Sequence, residues 1–176
     1  MRSIDDAVIR SFLIALGTRQ AESAQLSLLG GCALILLGSP RMTIDIDYVG
    51  DDVQPTRFQQ TIAQVAAELQ LEADPVPIGR FVPLPADSEA HRVFVARFGL
   101  VDVYVVDPDV IALSKLDRGD DTDIDDVVFL VKRGLVSLDR LAELVASTLP
   151  LATKYDIDPA AMQAHLTNVR QRTSHL

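Results

Sequence analysis

Asp45 and Asp47 stand two residues apart in the run Thr43-Ile44-Asp45-Ile46-Asp47-Tyr48-Val49, which is otherwise largely apolar. In an extended strand, residues i and i+2 point to the same face. Both carboxylates then project together, while Ile44, Ile46 and Tyr48 turn the other way. Two acids side by side repel each other unless a cation sits between them. Paired divalent cations about 4 Å apart meet that need and suit phosphoryl transfer. The competing reading is a half-exposed strand whose polar residues face water. Upstream lies Gly30-Gly31, followed by the apolar stretch Cys32-Ala33-Leu34-Ile35. Glycine lets a backbone come close to a ligand, and amides at a helix start favour phosphate. No lysine follows in the P-loop pattern, so a Walker-type site is not supported.

A third acid, Asp102, is the single charge in Leu100-Val101-Asp102-Val103-Tyr104-Val105-Val106. It is either solvated on an edge strand or held by a partner. With Asp45 and Asp47 it would complete a three-carboxylate cluster able to hold two divalent ions. Lys115 follows an apolar helical stretch and is placed to point toward the strand acids. The acids from Asp117 to Asp126 read mainly as a solvated helix start. His91, His165 and His175 are scattered and show no ligand spacing. Cys32 is the only cysteine, which excludes an internal disulfide and a multi-cysteine zinc site. Its apolar setting reads as a buried structural thiol.

These residues need elements to position them. Ser3 is expected to cap a first helix carrying Ile4, Val8, Phe12 and Leu16 at helical spacing, with Gly17 ending it. A short buried strand over 26–29 turns at the glycine pair into a brief helix over 32–37, which Gly38-Ser39-Pro40 breaks. A second strand spans 43–49. Pro55 suits the first turn of a helix with Phe58, Ile62, Val65, Ala66 and Leu69 on its apolar side. Four prolines between residues 73 and 86 exclude regular helix there and leave an extended loop with one edge strand. Residues 93–98, Gly99 and 100–106 read as a hairpin. Asp107-Pro108-Asp109 opens a helix to about residue 118. Helices follow over 123–132, from Ser137 to about residue 148, and from Asp158-Pro159 onward, the last with Met162, Leu166 and Val169 on its apolar face. The order predicts an α/β (α+β) fold, a mixed sheet flanked by helices with a C-terminal helical segment. Residues 1–134 are expected to form the main domain. Residues 135–176 form a helical extension packed on it as one compact unit.

The chain has 176 residues and a net charge of −9, with nearly half its residues apolar. That length and composition support a sizeable core. The acidity argues against a general electrostatic grip on DNA or RNA and leaves room for a local basic patch drawn from Arg41, Lys132, Arg133, Arg170 and Arg172. The N-terminal residues carry early acids and no apolar signal core. The longest apolar run is too short to cross a bilayer. A cytoplasmic protein without membrane contact is expected.

The run Gly-Gly-x-Ala, then Gly-x-x-Arg-x-Thr-x-Asp-Ile-Asp, resembles the signature of the DNA polymerase beta-like nucleotidyltransferase superfamily. It is most similar to the bacterial branch containing abortive-infection-type toxins and uncharacterised minimal nucleotidyltransferases. Lys115-Leu116, Arg118-Gly119 and Asp123-x-x-Asp126 resemble that branch's downstream motif. The likeness covers about residues 26 to 130. Cys32 stands where the wider superfamily often has serine, and Thr122 where an arginine commonly precedes the first downstream acid. The resemblance implies Mg2+ or Mn2+ held by Asp45, Asp47 and Asp102. It implies nucleotide contacts from Gly30, Gly31, Arg41, Thr43 and Lys115, with Lys115 facing the triphosphate, and it implies roles for Asp123 and Asp126. The implied activity is transfer of a nucleoside monophosphate from an NTP such as ATP to an acceptor hydroxyl, on RNA (a tRNA end) or protein. A toxin-antitoxin or phage-defence setting with an antitoxin partner goes with it. A non-catalytic nucleotide- or partner-binding relative and an aminoglycoside-type small-molecule transferase are the alternatives.

Overall fold

The computed structural model describes residues 3–174. Met1 and Arg2, from the stretch read for a leader, lie outside the described residues, as do His175 and Leu176. The chain divides into two compact units. The first holds residues up to Pro77 together with Arg92–Val106; the second holds Ile78–His91 and everything from Asp107 onward.

The first unit is a five-stranded sheet with helices. Its strands are β1 (Ala24–Leu28), β2 (Asp45–Val49), β3 (Glu72–Val76), β4 (Val93–Phe98) and β5 (Val101–Val105), in spatial order β3-β2-β1-β5-β4. β1 runs parallel to β5 and antiparallel to β2; β2 and β3 are parallel, and β4 and β5 antiparallel. The helices are α1 (Asp6–Arg19), α2 (Gly30–Leu36) and α3 (Arg57–Glu68). This is the mixed α+β sheet that the order of elements predicted. Burial alternates along the strands: Leu26, Leu28, Ile46, Tyr48, Val101, Val103 and Val105 are all buried. Residues between them, including Gln25, Ser27, Asp45, Asp47, Asp102 and Tyr104, keep solvent contact. One sheet face therefore feeds the core shared with Phe12, Leu13 and Leu16 of α1 and Ile62 and Val65 of α3. The other face carries the polar residues.

Two local expectations change. Asp5, rather than Ser3, caps α1 by accepting from the Val8 amide. The helix also runs through Gly17 instead of stopping there. A Cβ at residue 17 would lie 2.4 Å from the Phe98 carbonyl oxygen, so the glycine serves close approach of helix and hairpin. Ile4 lies before the helix, bridged to Thr43 in antiparallel fashion and fully buried. In the proline-rich region the edge strand is β3 itself, which tolerates Pro75 because an edge strand has one unpaired side.

The second unit is helical: α4 (Pro108–Arg118), α5 (Asp121–Lys132), α6 (Leu138–Thr148), α7 (Ala152–Tyr155) and α8 (Pro159–Thr173), with 3-10 turns at Ile78–Arg80 and Leu149–Leu151. Its grouping differs from the expected division after residue 134. Val110, Leu113 and Leu116 of α4 and Ile124, Val127 and Leu130 of α5 are buried, as are Leu141 of α6 and Met162, Leu166 and Val169 of α8. α4 packs on α5, α6 and α8, so it belongs to the helical unit. The four longer helices have side-chain N-caps at Asp107, Asp120, Ser137 and Asp158. Among the described residues no helix is long and apolar enough to cross a membrane.

Candidate metal and nucleotide site

β2 delivers Asp45 and Asp47 to the polar face of the sheet, both half-buried, while Ile46 and Tyr48 go to the core. β3 lies beside it in parallel register, with Asp47 opposite Asp74 and Asp45 opposite Glu72. Paired residues on neighbouring strands share a face, so Asp74 joins the two acids. Carboxylate oxygens of Asp45, Asp47 and Asp74 all lie within 4.8 Å of one another. Hard oxygen donors at such spacing, with Asp74 open to solvent, fit Mg2+ or Mn2+ with coordination positions left for a substrate. Thr43 donates from Oγ1 to Asp45 Oδ1 at 2.9 Å and fixes the orientation of that carboxylate.

The glycine pair sits hard against this group. Gly30 has a φ of +65°, and a Cβ there would fall 2.1 Å from Asp47 Oδ2. A Cβ on Gly31 would meet Thr43 Oγ1 at 2.6 Å, with an Arg41 guanidinium nitrogen 3.5 Å away. Any side chain at these positions would displace a site residue. The start of α2 has no side-chain cap, since its N-cap residue is Leu29. Gly30, Gly31, Arg41, Thr43, Asp45 and Asp47 are thus gathered in one place. Below them, the Cys32 thiol donates to the carbonyl oxygens of Leu29 (3.0 Å) and Asp47 (3.4 Å). Burial, aided by the nearby Asp47 charge, pushes that thiol far up and keeps it protonated.

Asp102 is not part of the cluster. It pairs in register with Gln25 on one side and Arg97 on the other, whereas Leu28, at the far end of β1, is the residue paired with Tyr48. Strand spacing puts Asp102 on the order of 15 Å from Asp47, too far to share paired cations. Its oxygens accept from Arg97 Nε at 2.6 Å and Nη2 at 2.7 Å, and these hydrogen bonds hold its carboxyl below the usual range. Of the two readings open for this acid, the partnered one holds, and the partner is an arginine. The residue that sequence reasoning missed is Asp74. Its signal was the alternation Glu72-Ala73-Asp74 at the entry to the proline-rich stretch, which marks two acids on one face of an edge strand.

Lys115, Asp123 and Asp126 belong to the second unit and are buried. Lys115 Nζ lies 2.8 Å from Asp123 Oδ1 and 2.7 Å from Asp126 Oδ2, and Arg118 also donates to Asp123. Burial opposes ionisation of Asp123, but the hydrogen bonds from Arg118 and Lys115 outweigh it and hold the carboxyl at about 2. The dense acid run therefore has assigned work: Asp120 caps α5, Asp123 and Asp126 neutralise Lys115, and Asp125 pairs with Arg172. His165 is likewise internal, its Nδ1 2.7 Å from the Leu116 carbonyl oxygen.

Three adjacent carboxylates, fed by a strand pair and flanked by a glycine turn on a mixed sheet, place the chain among proteins built like nucleotidyltransferases. Residues 8–172 match the family described as a nucleotidyltransferase of unknown function (DUF6036), and the chain belongs to that family. No curated protein matches the chain, and no solved structure does.

Proposed function

We propose that the protein transfers a nucleoside monophosphate from an NTP to an acceptor hydroxyl in a divalent-metal-dependent reaction. The observation that carries this reading is the meeting of Asp45, Asp47 and Asp74 beside Gly30-Gly31. Bound there, Mg2+ or Mn2+ would supply the positive charge that acidifies the acceptor hydroxyl and stabilises the departing pyrophosphate. The chain's own residues do the positioning. The three aspartates would hold the cations, and Thr43 fixes the Asp45 carboxylate by donating to it. Amides of the glycine turn and the Arg41 guanidinium face the phosphates, where fixed donors act on charge that develops during transfer. The acceptor oxygen attacks the α-phosphorus, the bond to the β-phosphate oxygen breaks, and the hydroxyl proton leaves to solvent.

Lys115 we assign to the buried network with Asp123 and Asp126 rather than to the triphosphate, because two carboxylates already neutralise it. The acceptor we infer is an RNA end, with a phage-defence or toxin role and an antitoxin partner carried over from the resemblance alone. The test is label transfer from α-labelled NTPs over RNA, protein and aminoglycoside acceptors. Labelled RNA and its loss in Asp45→Asn/Asp47→Asn support the proposal. Tight NTP binding without transfer to any acceptor overturns it in favour of a non-catalytic relative.

A further inference from the structure

The polar face of the sheet continues from the carboxylates to the opposite edge. There the register sets Ser27, Tyr104 and Phe94 in one row, and Gln25, Asp102 and Arg97 in the next. The second row is electrically closed, since Asp102 gives both oxygens to Arg97. The first row is open. Phe94 is 55% exposed, on an edge strand, with no part in the core. Its ring meets Tyr104 edge-on at a centroid distance of 5.4 Å. The Arg92 guanidinium lies 4.3 Å over the Tyr104 ring and is fixed there by donating to Ser27 Oγ at 3.2 Å and Gln25 Oε1 at 3.3 Å. Phe94 thus offers an exposed ring beside Tyr104, whose own face is covered by the planar cation of Arg92. Such a platform suits an unstacked nucleobase.

Its position indicates whose base. Strand spacing puts Tyr104 roughly 12 Å and Phe94 roughly 16 Å from Asp47 between Cα atoms, the reach of a nucleotide or two. Entering and leaving oxygens stand on opposite sides of the transferred phosphorus. Gly30, Gly31 and Arg41 lie past the C-terminal end of β1, whereas the platform lies back along β1 from Asp47. If pyrophosphate departs over the glycine turn, the platform is on the acceptor's side. We propose that Phe94 and the Arg92 guanidinium, both held in place by Tyr104, bind a terminal base of a single-stranded RNA acceptor by stacking. This takes the transfer reaction and its direction from the function proposed above. It also reconciles an RNA substrate with a chain of net charge −9: base stacking supplies the hold that phosphate contacts do not.

The experiment measures binding of a short, unstructured, fluorescein-labelled RNA to the full chain by anisotropy, with no NTP present. Wild type binds it, and binds a duplex of the same sequence far more weakly. Phe94→Ala weakens single-strand binding at least about fivefold, the low end for one stacked base, and Phe94→Tyr restores most of it. In the transfer assay Phe94→Ala raises KM for RNA and leaves KM for NTP unchanged. RNA affinity indifferent to residue 94, absence of RNA binding by wild type, or a rise in KM for NTP instead would each overturn the platform. Loss of transfer in wild type with residue-94-dependent RNA binding intact would instead break the transferase reading and uphold the RNA site.

Discussion

At the residue scale, Asp74 takes the place beside Asp45 and Asp47 that was expected for Asp102. Both acids lie on strands that border a partner, and the pairing register separates them. Asp74 lies opposite Asp47, while Asp102 lies opposite Arg97. Titration with Mn2+ by calorimetry checks the assignment: Asp74→Asn weakens binding at least about tenfold through loss of a ligand, and Asp102→Asn leaves it unchanged. Without metal, Asp74→Asn melts at a higher temperature than wild type, because repulsion among three acids is relieved. Lys115 behaves in the opposite way. Lys115→Met removes the cation shared by two buried carboxylates and costs about 3 kcal/mol, seen as a lower urea midpoint. The Asp123 carboxyl is depressed from 3.8 to about 2 in the fold, so its stabilisation is complete above about pH 4 and is lost as pH falls toward 2. Thermal melts over that interval fall more steeply for wild type than for Asp123→Asn, which starts lower.

At the element scale, the pair Asp45/Asp47, the glycine turn, the 93–105 hairpin and most helix starts were legible in the sequence, because each has a local cause. Alternation, positive φ and capping act within a few residues. What was not legible needed a partner from afar. Gly17 looks like a helix stop until Phe98 is seen against it. Asp74 looks like a loop residue until β3 is laid beside β2. Asp120, Asp121 and Asp125 are exposed at the start of α5 as expected, but Asp123 and Asp126 look solvated with them until Lys115 is found between the two. Asp107 adds an element-level prediction. As the N-cap of α4 it uses only Oδ1, accepting from the Asp109 amide. Its Oδ2 is buried with no hydrogen-bond partner among the described residues, and burial raises its pKa. Asp107→Asn keeps the cap and removes a buried charge, so the variant melts at a higher temperature at pH 7 and the gain vanishes on acidification, when the wild-type carboxyl protonates.

At the scale of the whole molecule, the two units answer to different physics. The first places Asp45, Asp47 and Asp74 close together on one face of a sheet, partly open to water. The second sets Asp123, Asp125 and Asp126 against Lys115, Arg118 and Arg172. Net charge alone could not show this partition, and a division at residue 134 hid it. The distinction has a consequence in time as well as in energy. The third carboxylate rides on β3, a five-residue edge strand containing a proline and bonded along one side only. Edge strands of that kind open locally far more often than the sheet opens as a whole. A cation bridging Asp74 to Asp45 and Asp47 would act as the clasp that the missing neighbouring strand does not provide, and each opening of the edge would set the ion free. Hydrogen–deuterium exchange checks this: saturating Mn2+ slows exchange across residues 72–76 in wild type and leaves it unaltered in Asp74→Asn. The residence time of such a metal would then be set by the breathing of a strand.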